Sequence, residues 1–289
     1  MKGSFPGCAI GAFVNGTENI PSFQTMIGRK LAVVLFYVHW QEPFPLAEAE
    51  TVSSNGSIPL ITWEPWVTQP QGTLEAIVSG SYENYVRDFM QAAKDWGKPL
   101  FLRFAHEMNG NWYPWDGDHN GGAAGAGAYK RAWIYIYNVR RELGATNVDL
   151  VWCPNNIDLP GESWNVLEAY YPGDRYVDWV GMDGYNWGYG GWQDFNSVFN
   201  GVYNRLIKLT QKPLLIGEFA TAEQGGNKAE WITAACLQIK NKYSRVKVFC
   251  WFNIDKERDW RVDSSGSAAA AMRNSLQDGY FLDKIDIPT

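Results

Sequence analysis

Glu107 and Glu218 each stand at the end of an apolar run. "PLFLRFA" (99–105) leads through His106 into Glu107, and "PLLIGEF" (213–219) carries Glu218. Two carboxyl groups at such places are equipment for cleaving a glycosidic bond. One protonates the departing oxygen, and the other attacks the anomeric carbon or activates water. Their separation sets the stereochemistry: about 5–5.5 Å for retention, about 6.5–9.5 Å for inversion. Three large rings, Trp112, Tyr113 and Trp115, follow Glu107 closely, and Trp187 follows Tyr185 and Asn186 after another apolar run. Flat apolar rings beside hydrogen-bonding groups suit a ligand with apolar faces and polar edges, and a sugar is one such ligand.

Other chemistry fits less well. Either glutamate alone could be a rim residue paired with Arg or Lys. Arg103 could be a buried counter-charge supporting a carboxylate, or a substrate contact. His106 could ligate a metal, but no H-E-x-x-H is present, and His39 and His119 complete no ligand set by spacing. "DGDHNG" (116–121) opens like a calcium loop, yet its twelfth position is Gly127 where Glu is required, so it reads as a flexible loop. No metal or other cofactor is expected. Of the four cysteines, Cys8, Cys153, Cys236 and Cys250, Cys153 and Cys250 lie in apolar runs and read first as core residues, and a bridge between any two of the four stays open.

These side chains need elements to position them. Eight short apolar runs recur along the 289 residues: 9–14, 31–38, 58–63, 99–105, 148–153, 177–183, 213–219 and 246–252. Most are continuous rather than alternating, as in strands covered on both faces of a parallel sheet. Helical spacing lies between several of them: 81–98 opening on Ser81 as N-cap, 127–144 stopped by Gly144, then 194–210 and 227–243. The glycine-rich stretch 120–128 reads as loop. Eight strands alternating with helices in a chain of this length predict an α/β fold, a single (β/α)8 TIM barrel over residues 1–289. The alternative is an open doubly wound sheet, but no glycine-rich dinucleotide fingerprint follows the first run. In the barrel, chemistry belongs at the C-terminal strand ends, where Glu64, Asn155, Asp183 and Asn253 also stand; the ends of the fourth and seventh strands would face each other across the mouth.

Composition narrows the partners. Net charge is −6 with no basic stripe and no G-K-[ST] loop, which argues against nucleic acid and nucleotides. The longest apolar stretch, "LAVVLFYV" (31–38), is far short of a bilayer span of about 20 residues. No signal peptide is legible at the N-terminus.

At "RFAHEMNGNWYPW" (103–115) and "LLIGEFA" (214–220) the chain resembles glycoside hydrolase family 26, in the clan of retaining (β/α)8 hydrolases. The resemblance implies Glu107 as acid/base and Glu218 as nucleophile. It makes His106 a sugar contact, Tyr185 the hydrogen-bond partner of the nucleophile, and Trp251 the platform under the sugar being cleaved. Trp112, Trp115 and Trp187 are expected to line the cleft, with Arg103 in support. The expected substrate is a β-glycan cut within the chain, β-1,4-mannan first. Mixed-linkage β-1,3-1,4-glucan is the alternative, because "NWYPW" replaces the "WFWW" run common in mannanases. A β-1,3-xylan, or sugar binding without hydrolysis, stands behind both. A polymeric substrate implies an extracellular protein whose leader has been removed, and a monomer is expected.

Overall fold

The computed structural model describes residues 6–67 and 73–285. Each apolar run becomes a strand: β1 (Cys8–Phe13), β2 (Val33–His39), β3 (Ile58–Glu64), β4 (Leu100–Phe104), β5 (Val148–Trp152), β6 (Trp179–Asn186), β7 (Leu214–Thr221) and β8 (Val246–Phe252). The helices are α1 (Ile20–Ile27), α2 (Leu46–Ser54), α3 (Thr73–Val78), α4 (Glu83–Trp96), α5 (Gly125–Leu143), α6 (Leu167–Tyr170), α7 (Phe195–Leu209), α8 (Lys228–Asn241) and α9 (Gly266–Ser275). Strand order is β2-β3-β4-β5-β6-β7-β8-β1, and β1 pairs in parallel with both β8 and β2. The eight strands therefore close into a (β/α)8 barrel with flanking helices, not an open sheet. A two-residue β9 (Phe281–Leu282) pairs beside Cys8 and Ala9 at the start of β1.

The continuity of the apolar runs has its expected cause: β3, β4, β5 and β7 are buried at every residue. Strands covered on both faces have no solvent side on which to place polar residues. The polar residues inside them, among them Thr62, Arg103, Asp149 and Glu218, are the exceptions that need a reason.

The chain forms two compact units, one of Tyr37–Glu50 and Leu60–Gly181, the other of the described parts of Lys2–Phe36, Thr51–Pro59 and Met182–Thr289. In the first, Trp63 of β3 stacks on Phe89 of α4 with centroids 4.5 Å apart, and its indole N–H donates to the Tyr85 hydroxyl. Pairs of this kind add about 0.5–1.5 kcal/mol beyond the area they bury. In the second, Phe219 of β7 meets Trp231 of α8 and Trp251 of β8. Much of the tryptophan content is thus core. Trp63, Trp115, Trp133, Trp152, Trp179, Trp251 and Trp260 are all essentially fully buried.

Helix ends follow local chemistry with two corrections. Asp194 caps α7 by accepting from Ser197 N, and Asn227 caps α8 by accepting from Glu230 N. Gly97 and Gly144, both left-handed, end α4 and α5. The cap of α4, however, is Tyr82 rather than Ser81, without a side-chain bond. The stretch 120–128 is not all loop either, since α5 begins at Gly125. A Cβ there would sit 2.3 Å from the Gly117 carbonyl oxygen, so glycine is needed for close packing and not for flexibility. All four cysteines are buried thiols, and burial pushes that of Cys236 up to about 12. No helix among the described residues is long and apolar enough to cross a membrane.

Candidate active site

Strand β4 ends at Phe104, and the backbone then turns abruptly. Ala105 and Glu107 both take left-handed conformations, with φ of 47° and 54°. Non-glycine residues rarely adopt that region, and where they do the strain is held by surrounding bonds. Here Glu107 N donates to Cys153 O at the end of β5 (2.8 Å), and Gly110 N closes back on Glu107 O (2.9 Å).

The turn delivers the Glu107 carboxyl, 6% exposed, to two side-chain donors. Asn155 Nδ2 donates to Oε1 and Trp112 Nε1 to Oε2, each at 2.8 Å. Asn155 is itself fixed: its backbone N donates to Asn109 Oδ1 (2.8 Å), and Asn109 Nδ2 donates to Asn155 O (3.1 Å) and to Asp158 Oδ1 (2.8 Å). Asn109, two residues beyond Glu107, therefore ties the loop of that carboxyl to the loop after β5. Asn155 stood on the expected rim but outside the candidate set. Its position at a strand end was the available signal.

The rings around this turn divide into two groups. Trp112 is 38% exposed, with one edge on the carboxylate. Trp66 is similarly exposed and meets Tyr113 and Trp115 edge-on at 5.8 and 5.3 Å. Trp115 is different. It is fully buried, stacks on Tyr113 at 4.4 Å, and donates from Nε1 to His106 O (2.7 Å). Trp115 presents no face to a ligand; it holds the backbone of His106. The His106 ring, buried, lies 4.9 Å from Tyr113 and 6.3 Å from Tyr37. Arg103, also buried, donates from Nε and Nη2 to Thr62 Oγ1 at 2.9 and 2.6 Å, and its Nη1 is 3.8 Å from Cys153 Sγ.

The stretch expected to be a flexible loop is pinned. Asp116 is buried and accepts from the backbone N of Tyr113 and His119 and from the His119 ring, while the Asn120 side chain donates to Pro114 O and Asp116 O. Burial raises the Asp116 carboxyl above the ordinary carboxylate range, and the His119 and Tyr113 bonds oppose that rise.

In the second unit Glu218, 6% exposed, sits in a local irregularity of β7. Ile216 pairs with Phe249 and Phe219 with Trp251, so β7 carries one extra residue between these pairs. Bulges of this kind re-aim a side chain at the rim of a barrel. The Tyr185 hydroxyl donates to Glu218 Oε2 at 2.5 Å. Tyr185 belongs to β6, which runs three residues beyond the expected boundary at Asp183. Asp183, fully buried, has a carboxylate oxygen within 4.8 Å of one from Glu218. Trp187 is half-buried and packs on Tyr185, Tyr189 and Trp260.

Trp251 does not serve as an open platform. It is 1% exposed, donates from Nε1 to Trp260 O (2.9 Å), and packs against Phe219 and Trp231. Tyr185 packs against Trp187 at 5.8 Å, Phe252 at 5.7 Å and Trp260 at 5.0 Å; sequence reasoning did not single out Trp260 because it lies eight positions beyond the end of β8.

Residues 32–284 match the profile of glycosyl hydrolase family 26. The chain belongs to that family. It is 41% identical over 285 residues to endoglucanase H of Acetivibrio thermocellus, covering 94% of this chain and 31% of that protein. It is 27% identical over 256 residues to a mannan endo-1,4-beta-mannosidase of Bacillus subtilis, covering 86% of this chain and 62% of that one. The chain thus spans less than two thirds of either relative. The fold of this family 26 member superposes on a solved Bacillus subtilis mannanase, BCman, with a TM-score of 0.73 at 20% identity, covering 97% of this chain and 88% of that one.

Proposed function

We propose that this family 26 chain is a retaining endo-β-glycanase in which Glu107 is the acid/base and Glu218 the nucleophile. The observation that carries the reading is that both carboxyls, Glu107 just beyond β4 and Glu218 in the C-terminal half of β7, are buried and oriented by side-chain donors. Glu107 has a donor on each oxygen, and Glu218 has the Tyr185 phenol on Oε2. Glu107 protonates the departing sugar while Glu218 attacks the anomeric carbon. Glu107 then takes a proton from the water that releases the glycosyl-enzyme. Tyr185 fixes the nucleophile's orientation and the exposed ring of Trp112 contacts the sugar, whereas His106, expected as a sugar contact, is 1% exposed and packs against Tyr113 and Tyr37. Trp187 is a contact through its exposed edge, Trp115 and Arg103 hold the strand-4 turn, and Trp251 secures the loop carrying Trp260. Retention requires the two carboxyls about 5–5.5 Å apart.

For the substrate we favour a β-glucan, mixed-linkage first, over β-1,4-mannan. The greater identity to endoglucanase H supports it, and so does Tyr113-Pro114 in the segment after Glu107. Mannose differs from glucose in the hydroxyl at C2, beside the reacting carbon, so the two polymers are separable by assay. The protein is read as a monomer acting outside the cell on a polymer.

The test is oligosaccharide release from mixed-linkage β-glucan, β-mannan and β-1,3-xylan in parallel, with NMR of the first-formed anomer. Glu218→Ala is expected to lose at least about 10⁴-fold in kcat, the scale seen when a covalent nucleophile is removed. An inverted first product, or a Glu218→Ala variant that still cleaves, would sink the assignment. Release from mannan alone would keep the mechanism and replace the substrate.

A further inference from the structure

Lys228 is the first residue of α8, and its side chain is 1% exposed. Both facts run against ordinary placement. Lysine is almost never fully buried without a partner, and the N-terminal turn of a helix disfavours a cation. Its ammonium donates to the backbone carbonyl of Asp259 at 3.0 Å and lies 5.9 Å from the Trp251 ring centroid. Asp259 belongs to the segment 253–262 that follows β8. That segment folds back on itself through a bridge between Asp255 and Asp259 and through Trp260 N donating to Ile254 O. Its next residue, Trp260, is buried, accepts at its carbonyl from Trp251 Nε1, and lays its ring on Tyr185. Tyr185 is the residue that bonds Glu218.

We propose that Lys228 is a positioning residue for the nucleophile: its buried ammonium clamps the segment after β8 so that Trp260 seats Tyr185 against Glu218. The inference rests on the proposed function, because it takes Glu218 as the nucleophile. A carbonyl accepts more strongly from an ammonium than from a neutral amine, so the clamp weakens when the lysine loses its proton. Burial lowers that amine from its ordinary 10.5 to about 8, against the opposing pull of Glu223, Asp259 and Asp263; Arg261 adds to the lowering. Clamp and catalysis should therefore loosen together above about pH 8, within the working range of an assay.

Stability moves the other way, and this separates positioning from mere support. Between about 8 and 10.5 the unfolded chain holds the lysine proton that the folded chain has released, so the lysine's contribution to stability rises with pH across that window. Lys228→Met relieves the cost of a buried cation and leaves the Asp259 carbonyl without this donor, so its two effects on stability oppose each other.

The experiment compares the full chain with Lys228→Met and Lys228→Arg on β-glucan from about pH 5 to about pH 10, with thermal midpoints and amide exchange in 253–262. Wild type should lose kcat above about pH 8 with KM unchanged. Lys228→Met should show kcat about tenfold lower at neutral pH, no alkaline limb near 8, faster exchange of Trp260 N, and a preserved midpoint. Lys228→Arg should recover part of the rate and remove the limb, since arginine stays charged. Wild-type rate, limb and exchange in Lys228→Met would overturn the proposal. So would a lowered midpoint with a pH profile parallel to wild type, which marks a lysine that only supports the fold. A wild type that cleaves none of the three polymers overturns the proposed function itself and removes the catalytic role of the clamp, an outcome distinct from both of these.

Discussion

At the scale of single residues the site is defined by donors aimed at carboxylate oxygens. Trp112 has two duties that can be separated, an N–H on Glu107 Oε2 and an exposed ring. Trp112→Phe keeps the ring and removes the donor. A hydrogen bond to a charged group contributes about 1.5–3 kcal/mol, so kcat/KM should fall about ten- to a hundredfold with a change in the pH–rate profile. A rise in KM alone would reduce Trp112 to a platform. Asn155→Ala should act on kcat in the same direction, as its amide holds the other oxygen. The placement of Glu107 beyond β4 and of Glu218 in β7 was legible in the sequence because each follows or ends a continuous apolar run. The distinction between exposed Trp112 and buried Trp115 was not. Both lie in one polar, aromatic segment, and only the turn after Met108 decides which ring goes inward. The resemblance made Trp251 a platform, but it is 1% exposed: an apolar ring ending a strand fits the core as well as it fits a cleft.

At the scale of elements, the strands were easy to read and their boundaries less so. Runs buried on both faces announce themselves by continuous apolarity, as most of the eight did, and β3, β4, β5 and β7 are buried at every residue. The extension of β6 through Tyr185 and Asn186 was hidden because its last residues are polar and serve the site. Strand β9, two residues long, is too short to show a period. The start of α5 was hidden by glycines that packing demands at Gly125. Helix caps carry a measurable share of stability. Asp194→Ala removes the acceptor for Ser197 N and should cost about 1 kcal/mol, read as a drop of a few degrees in thermal midpoint. An unchanged midpoint would mean that solvent replaces the cap at no cost.

Across the whole molecule, buried acids of weak strength set the alkaline limit of the fold. Burial pushes the hydroxyls of Tyr85, Tyr243 and Tyr280 from 10.0 up to about 12, and the Cys236 thiol from 9.0 to about 12. In each case the folded chain keeps a proton that the unfolded chain releases. The stability these groups contribute is complete below about pH 9 and is lost as pH rises through 12. Lys228 acts oppositely between about 8 and 10.5, but it is one group against four. The thermal midpoint should therefore fall steadily above about pH 10, and a flat midpoint through pH 12 would contradict the burial of these phenols.

The left-handed turn at Glu107 bears on how such a sequence could arise by design. A non-glycine residue in that conformation costs on the order of 1 kcal/mol or more. Two variants measure it: Glu107→Gly should be more stable than Glu107→Ala by about that amount, reversing the usual order of the two residues. A procedure that selected only for folding would write glycine at position 107 and produce a sturdier barrel without the carboxyl that the proposed function takes as proton donor. On the proposed function the carboxylate is a demand that the reaction places on the backbone, and thermal robustness and turnover compete there for the same residue.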